Sequence, residues 1–307
     1  MDLSVILVNY NTKDLLRNCL RSVFETVTDA SYEVFVVDNA SADGSVEMLK
    51  REFPSVRVIA NERNVGFAAA NNQAMKEMNG RYALLLNSDA VLTGQAVSDL
   101  MTFMEGNAGS AMACGQLLNA DGSKQNSIAN FPDYLSLMFN VPVLEYLFPK
   151  RYPSKRFHHS SPIEIDSGIG ACLMVRKKAI DEIGLLDERY FFFFEETDWA
   201  FRFRKSGWKI HFVPSARIYH LQGKSIGQSA RSRIEFYRSR YQYFRKWSRF
   251  YPLAFTIIFF RLAVNWFFTT GAALFTFGLN RQLVDKGLVY SQLLVWHLKK
   301  CPPAREN

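Results

Sequence analysis

At 307 residues, 48% of them hydrophobic and 21% charged, the chain can bury one large core or two modest ones, which excludes a disordered protein. Its net charge of +8 suits anionic partners: nucleotide diphosphates, anionic lipid or nucleic acid. The four cysteines, Cys19, Cys114, Cys172 and Cys301, have no CxxC spacing, which argues against a zinc site or disulfide frame and for a reducing compartment.

Met1-Asp2 leads almost directly into an apolar run, so no secretory leader is expected and the bulk of the protein is expected in the cytosol. Residues 3–8 read as a strand ending on Asn9-Tyr10-Asn11. Thr12 is placed to cap a helix whose apolar face holds Leu15, Leu16, Leu20, Val23 and Phe24. Residues 32–37 form the second predicted strand and run out on Asp38 and a polar loop containing Asp43. The third, 56–60, is followed by a loop with Arg63, Asn64 and Gly66 and by a helix rich in Ala and Asn. The fourth, 82–86, leaves on Asn87-Ser88-Asp89. Apolar runs alternating with helical patterns predict an α/β fold, and right-handed crossovers bring the polar strand ends to one edge as a cleft. A strand-end carboxylate there, Asp89, suits Mg²⁺ or Mn²⁺, although capping the next turn would equally explain it.

Residues 132–162 carry Pro132, Pro142, Pro149, Pro153 and Pro162 and predict a long irregular connection, a candidate mobile acceptor loop. The adjacent His158 and His159 would point apart on any regular element and read as solvated. Regular pattern returns at 163–166 and in the strand-like run 168–175, whose small residues, Gly170 and Ala171 among them, would let backbone approach a ligand. Gly168-x-Gly170 lacks the third glycine of a dinucleotide fingerprint, and Gly223-Lys224-Ser225 lacks the earlier glycine of a phosphate loop. Next, four phenylalanines, Phe191 to Phe194, abut Glu195, Glu196 and Asp198, with Trp199 following. Acids suit the first turn of a helix; a carboxylate beside that aromatic wall would also be desolvated, which makes it a stronger base. Gly207 should end the helix, with short strands at 209–213 and 217–220. His220 on its own reads as a satisfied side chain rather than a ligand.

Residues 231–249 set Arg231, Arg233, Arg238, Arg240, Arg245, Lys246 and Arg249 against Glu235 alone, with Ile234, Tyr237, Tyr241, Phe244, Trp247 and Tyr251 at helical spacing. Such a basic amphipathic helix suits an anionic membrane surface; a solvated basic face and nucleic-acid binding are the alternatives. Residues 253–279 decide for the membrane, being nearly all apolar and long enough to span it. A polar stripe of Arg261, Asn265, Thr269, Thr276 and Asn280 favours helices lying in the interface, since a central Arg costs roughly 2.5–3.5 kcal/mol on insertion scales. Residues 284–298 are again amphipathic, and the basic flank points to the cytoplasmic face.

Taken in order, Val8-Asn9-Tyr10-Asn11, the stretch from Val37 to Ser45, Asn64-Val65-Gly66-Phe67, Leu86-Asn87-Ser88-Asp89, Gly184-Leu185-Leu186-Asp187-Glu188, Phe194-Glu195-Glu196-Thr197-Asp198 and His220 resemble the inverting glycosyltransferases of family 2. The branch is that of bacterial rhamnosyltransferases and galactofuranosyltransferases, with the GT-A fold, and the likeness covers about residues 1–225. The resemblance implies a GT-A catalytic domain over 1–225, with a nucleotide-binding half (1–120) and an acceptor half (121–225). A basic amphipathic helix (226–252) and membrane-associated helices (253–307) would follow. It implies donor contacts from Asn9, Asn11, Asp38, Asp43, Arg63, Asn64, Gly66, Asn87 and Ser88, with Asp38 at the base. Asp89 and His220 would ligate Mg²⁺ or Mn²⁺. Glu196, beside Glu195, would be the catalytic base, and Gly170, Ala171, Asp198 and Trp199 would face the acceptor. Two residues depart from the pattern: Asn87 is neutral where many relatives carry Asp, and Glu196 is longer than the family's Asp.

These expectations describe an inverting, metal-dependent transfer of a sugar, rhamnose first, from a dTDP- or UDP-sugar to a hydroxyl of a polyprenyl-linked or other glycan. The partners are that donor, that acceptor and an anionic membrane surface, with no nucleic acid. A nucleotidyltransferase would want a glycine-rich basic loop after the first strand, which Asn9-Tyr10-Asn11-Thr12-Lys13 matches poorly. The remaining alternative is a membrane-bound adaptor with a dead nucleotide cleft.

Overall fold

In the computed structural model, which describes residues 1–153, 159–221, 230–277, 279–299 and 301, the first third folds as parallel βαβ units. His158 and Gly223-Lys224-Ser225 lie outside the described residues. The chain divides into two compact units, Met1–Phe131 with Pro153–Ile226, and Pro132–Tyr152 with Gly227–Asn307.

In the first unit, β1 (Leu3–Asn9), β2 (Tyr32–Asp38), β3 (Arg57–Ala60) and β4 (Tyr82–Asn87) are parallel, with β1 between β2 and β4. The apolar runs of β1, β2 and β4 are buried on both faces, as a sheet covered by helices requires, while β3 is a partly exposed edge strand. Helices α1 (Lys13–Thr26), α2 (Ser45–Glu52) and α3 (Phe67–Glu77) make the crossovers. Buried Leu16, Leu20 and Val23 form the inner stripe of α1. Thr12 occupies the N-cap position but makes no capping bond; Asp43 does that work, accepting from Lys13 N at 2.8 Å.

Beyond β4 the chain makes β5 (Ala90–Leu92), α4 (Ala96–Gly106), β6 (Ser110–Leu118) and β7 (Ile128–Ala129). The predicted run 168–175 is split into β9 (Ser167–Gly168) and β10 (Cys172–Arg176), after the short β8 (Ile163–Glu164). Strand β10 inserts antiparallel between β4 and β6. Helices α7 (Lys177–Ile183) and α8 (Glu195–Lys205) follow, then β11 (Lys209–His220), parallel to β6 and antiparallel to β5. The two strands expected at 209–213 and 217–220 are thus one. Pro214, which has no N–H for the ladder, sits in a register shift between Val213 and Arg217. Gly115 opposite has no room for a Cβ beside Ala216 O. Among the described residues the sheet has nine strands, in the order β3-β2-β1-β4-β10-β6-β11-β5 with β8 beside β11.

The second unit is helical. The region expected to be an irregular connection instead contains α5 (Tyr134–Met138) and α6 (Val141–Leu147). Asp133 and Ser136 form a reciprocal capping box that starts α5, a local signal which the five prolines obscure. Helices α9 (Ala230–Trp247), α10 (Tyr251–Phe275) and α11 (Arg281–Leu298) complete the unit. Helix α10 is long and apolar enough to cross a membrane. Its Arg261 does not sit in a free polar stripe. The guanidinium donates to Leu137 O at 2.8 Å, Ser136 O at 3.2 Å and Asn140 Oδ1 at 3.0 Å, satisfying carbonyls that the end of α5 would otherwise leave open. Phe267, Phe268 and Phe275 are two-thirds or more exposed, as are Phe277 and Leu279 beyond the helix.

Candidate active site

The ends of β1, β2 and β4 are tied together by side chains. Asn9, fully buried, donates to Asp38 Oδ2 at 2.7 Å and to Ser41 Oγ at 3.0 Å, while its Oδ1 accepts from Thr12 at 2.7 Å. The Thr12 hydroxyl, freed from capping, lies 2.8 Å from Ser88 Oγ. Asp38 Oδ1 accepts from Ser41 N, and Asn11 Oδ1 accepts from Ala42 N. Asn11 and Ala40 both have left-handed backbone, with φ of 54° and 63°, a strained geometry held only where neighbours dictate it. This network orders a polar rim at the carboxyl ends of parallel strands, where open α/β sheets bind ligands. Asp43 fastens the starts of α1 and α2, and Arg63 is exposed at the mouth of its loop.

Gly66 has φ of +88°, and a Cβ there would lie 2.7 Å from Phe191 O and from the Phe191 ring. Phe67 N donates to that same carbonyl at 2.7 Å, and Asn64 Oδ1 accepts from Gly66 N at 3.0 Å. The loop between β3 and α3 is therefore pressed against the segment leading into α8. On the other side of that segment, Asn72 pairs its amide with both N and O of Leu186.

Two non-glycine residues in left-handed conformation, Phe193 (φ 69°) and Phe194 (φ 67°), turn the chain into α8 and place Glu195 and Glu196 in its first turn. Glu195 is 3% exposed and Glu196 partly exposed; an oxygen of each is buried without a hydrogen-bond partner. Burial raises both carboxyl pKa values, that of Glu195 well above the ordinary range, with the neighbouring Glu196 charge adding to the effect. Glu196 lies against Gly170, where an added Cβ would be 3.8 Å from its Cγ. The neighbouring Ala171 O accepts from Asn87 N at 3.0 Å. Glu196 is thus brought, through Gly170 and Ala171, to the end of β4.

Asp198 and Trp199 are not where an acceptor-facing role needs them. Both are fully buried: Asp198 meets Tyr190 OH at 3.2 Å and Arg202 Nε at 3.1 Å, and Trp199 Nε1 donates to Gly184 O at 2.8 Å. These contacts hold both side chains in the packing between α8 and the 184–190 segment.

Asp89 is 1% exposed and immediately precedes β5; His220 ends β11, paired in register with Ala90. That pairing sets His220 Nε2 3.4 Å from Asp89 Oδ1. Among the described residues no group of three His, Cys, Asp or Glu side chains could hold a metal. A carboxylate with one imidazole nevertheless fits a hard divalent ion that completes its shell with phosphate oxygens and water. Gln125, which no sequence motif singles out, meets His220 Nδ1 at 2.8 Å. The turn signal Asn119-Ala120-Asp121-Gly122-Ser123 just before it marks a loop returning to β6, but not its target 95 residues away.

Known proteins resemble this chain in sequence and in fold. The chain is 29% identical over 248 residues, 76% of its length and 80% of the relative's, to an N-acetylglucosaminyl-diphospho-decaprenol L-rhamnosyltransferase of Mycobacterium tuberculosis. It is 25% identical over 213 residues, 68% of its length and 64% of the relative's, to a low-salt glycan biosynthesis hexosyltransferase of Haloferax volcanii. A solved mannosyltransferase of Pyrobaculum calidifontis in complex with GDP-Man and Mn²⁺ shares the fold. Its TM-score is 0.58 at 17% identity, over 97% of this chain and 86% of that one. The fold is that of GT-A glycosyltransferases, a mostly parallel mixed sheet flanked by helices. Residues 4–184 match Glycosyl transferase family 2, and the chain belongs to that family of glycosyltransferases.

Proposed function

We propose that the protein transfers a sugar, with inversion at the anomeric carbon, from a nucleoside-diphosphate sugar to a hydroxyl of a lipid-linked glycan. Rhamnose from a dTDP donor is the first candidate, a choice supported by the mycobacterial relative, which is named for rhamnosyl transfer to a decaprenol-linked N-acetylglucosamine. On this reading the rim formed by Asn9, Asn11, Asp38 and Asn64 receives the nucleotide. Asp89 and His220 hold Mg²⁺ or Mn²⁺, which when bound supplies positive charge against the leaving diphosphate. Glu196 accepts the acceptor's proton as the new O–C1 bond forms and the C1–O bond to the diphosphate breaks, its electron pair leaving with the diphosphate. Burial helps here: a carboxylate whose pKa is raised by desolvation is a stronger base.

The observation that carries this reading is the approach of Glu196, through Gly170 and Ala171, to the strand end bearing Asn87, Ser88 and Asp89. The exposed aromatic face of α10 and the exposed arginines of α9 support attachment to the cytoplasmic face of a membrane, where a polyprenyl-linked acceptor is presented. The full chain in detergent, given dTDP-rhamnose or UDP-sugars, Mn²⁺ and an N-acetylglucosaminyl-diphospholipid, tests it. Acceptor-dependent release of nucleoside diphosphate and an inverted product linkage by NMR are expected. Release of pyrophosphate would reassign the protein as a nucleotidyltransferase, and binding without turnover as an adaptor.

A further inference from the structure

We infer that Gln125 is a positioning residue that locks His220 in the one tautomer able to ligate a cation, and thereby sets the affinity of the site for its metal. The inference rests on the proposed Asp89–His220 metal site and goes beyond it.

The orientation of the Gln125 amide follows from its partners. Its nitrogen donates to His220 O at 2.9 Å and to Asn119 Oδ1 at 2.8 Å, and a backbone carbonyl can only accept. The atom 2.8 Å from His220 Nδ1 is then the amide oxygen, which also can only accept. His220 Nδ1 therefore carries the hydrogen, and a neutral ring presents a bare lone pair at Nε2. That lone pair faces Asp89 Oδ1 at 3.4 Å. Two electron-pair donors at this spacing form a bite for a cation. A simple ion pair explains the geometry less well, since charge-assisted N–H···O contacts close to about 2.7–2.9 Å.

Gln125 is itself held in place. Its N–H bonds Leu117 O at 2.8 Å, and its carbonyl accepts from Gln116 Nε2 at 2.9 Å. Because one amide grips both the ring and the backbone carbonyl of His220, it fixes the imidazole in position and in rotation. Partners of this kind fix the tautomer and raise ligand basicity, and their loss typically lowers metal affinity about 10–100-fold.

Mn²⁺ binding to the full chain in detergent, followed by EPR of free Mn²⁺ in the presence of dTDP, tests this without turnover. Gln125→Leu is expected to weaken Mn²⁺ binding by about 10–100-fold and leave dTDP affinity in EDTA unchanged. Gln125→Glu, which keeps the acceptor but loses the donors, should restore most of the affinity; a purely structural role would not be rescued this way. Unchanged Mn²⁺ affinity in Gln125→Leu, with binding lost in Asp89→Asn and His220→Ala, would overturn the inference and leave the metal site standing. Unchanged affinity in all three would remove the metal site as well. Imidazole ¹⁵N NMR of the unmodified, metal-free protein at pH 8 gives a readout that depends on no variant folding. Hydrogen on Nδ1 is expected, and hydrogen on Nε2 alone would refute the lock.

Discussion

The two units solve opposite problems with the same residue types. In the first, polar side chains go inside: Asn9, Asp38, Asn72 and Asp198 are buried, and each is matched by a partner that pins a loop or strand end. In the second, large apolar side chains go outside, with Phe260, Phe267, Phe268 and Phe275 exposed along α10 while Arg261 turns toward the carbonyls of α5. In water the first arrangement costs free energy unless each buried polar group keeps a hydrogen-bond partner, and the second costs it by exposing apolar surface; lipid as solvent removes the second cost. The contrast teaches that burial means different things in the two halves. A buried polar group in the first unit is held by a partner, and the exposed aromatic side chains of α10 are compatible with membrane association.

The comparison can be broken from either side. The largest effect is expected for Glu196→Gln, which should lower kcat by about 10²–10⁴-fold with donor affinity retained; wild-type turnover would remove it as base. Asp89→Ala should weaken Mn²⁺-dependent donor binding by on the order of a hundredfold, read by calorimetry with and without the ion. On the other side, Arg261→Met should leave donor binding unchanged but cost about 1–3 kcal/mol of local stability by orphaning buried carbonyls, seen as faster amide exchange around α5. Glu195→Gln sharpens the first unit through pH. Its carboxyl titrates far above the ordinary 4.5, so the folded protein binds the proton that the unfolded chain releases. Stability is then lost as pH rises from about 4.5 toward the folded-state value. The variant should melt higher than wild type at pH 8 and alike at pH 4. The smallest effect belongs to the surface: neutralising Arg231 or Arg233 should reduce partition onto anionic vesicles about fivefold each, and less at high salt.

Much of the first unit was legible in the sequence because its information is local. Each of β1 to β4 announces itself as an apolar run, and each reaches Asn or Asp at its end or one residue beyond, so the rim can be drawn before the sheet is known. The acid pair was equally visible, since four phenylalanines against three acids have few structural explanations. What could not be read depends on pairing across distance. The insertion of β10 between β4 and β6, the single strand β11, and the contact of Gln125 with His220 are set by antiparallel register that no short pattern encodes. The burial of Asp198 and Trp199 depends on Tyr190 and Gly184, partners that lie outside the helix. The stretch from Pro132 to Pro162 hides its helices because Pro132 precedes α5 and Pro142 sits in the first turn of α6, where a missing N–H costs little.

The absent side chain of Gly66 carries one last implication. With Phe191 O and the Phe191 ring filling the space where a Cβ would stand, and Phe67 N bonded to that carbonyl, the β3–α3 loop and the entry to α8 form a single latch. On the proposed roles, any redesign of that loop for another nucleotide sugar drags the proton acceptor with it. Altering donor preference in such a scaffold should therefore begin at Asn11 or Asp38, which are not bolted to the acids.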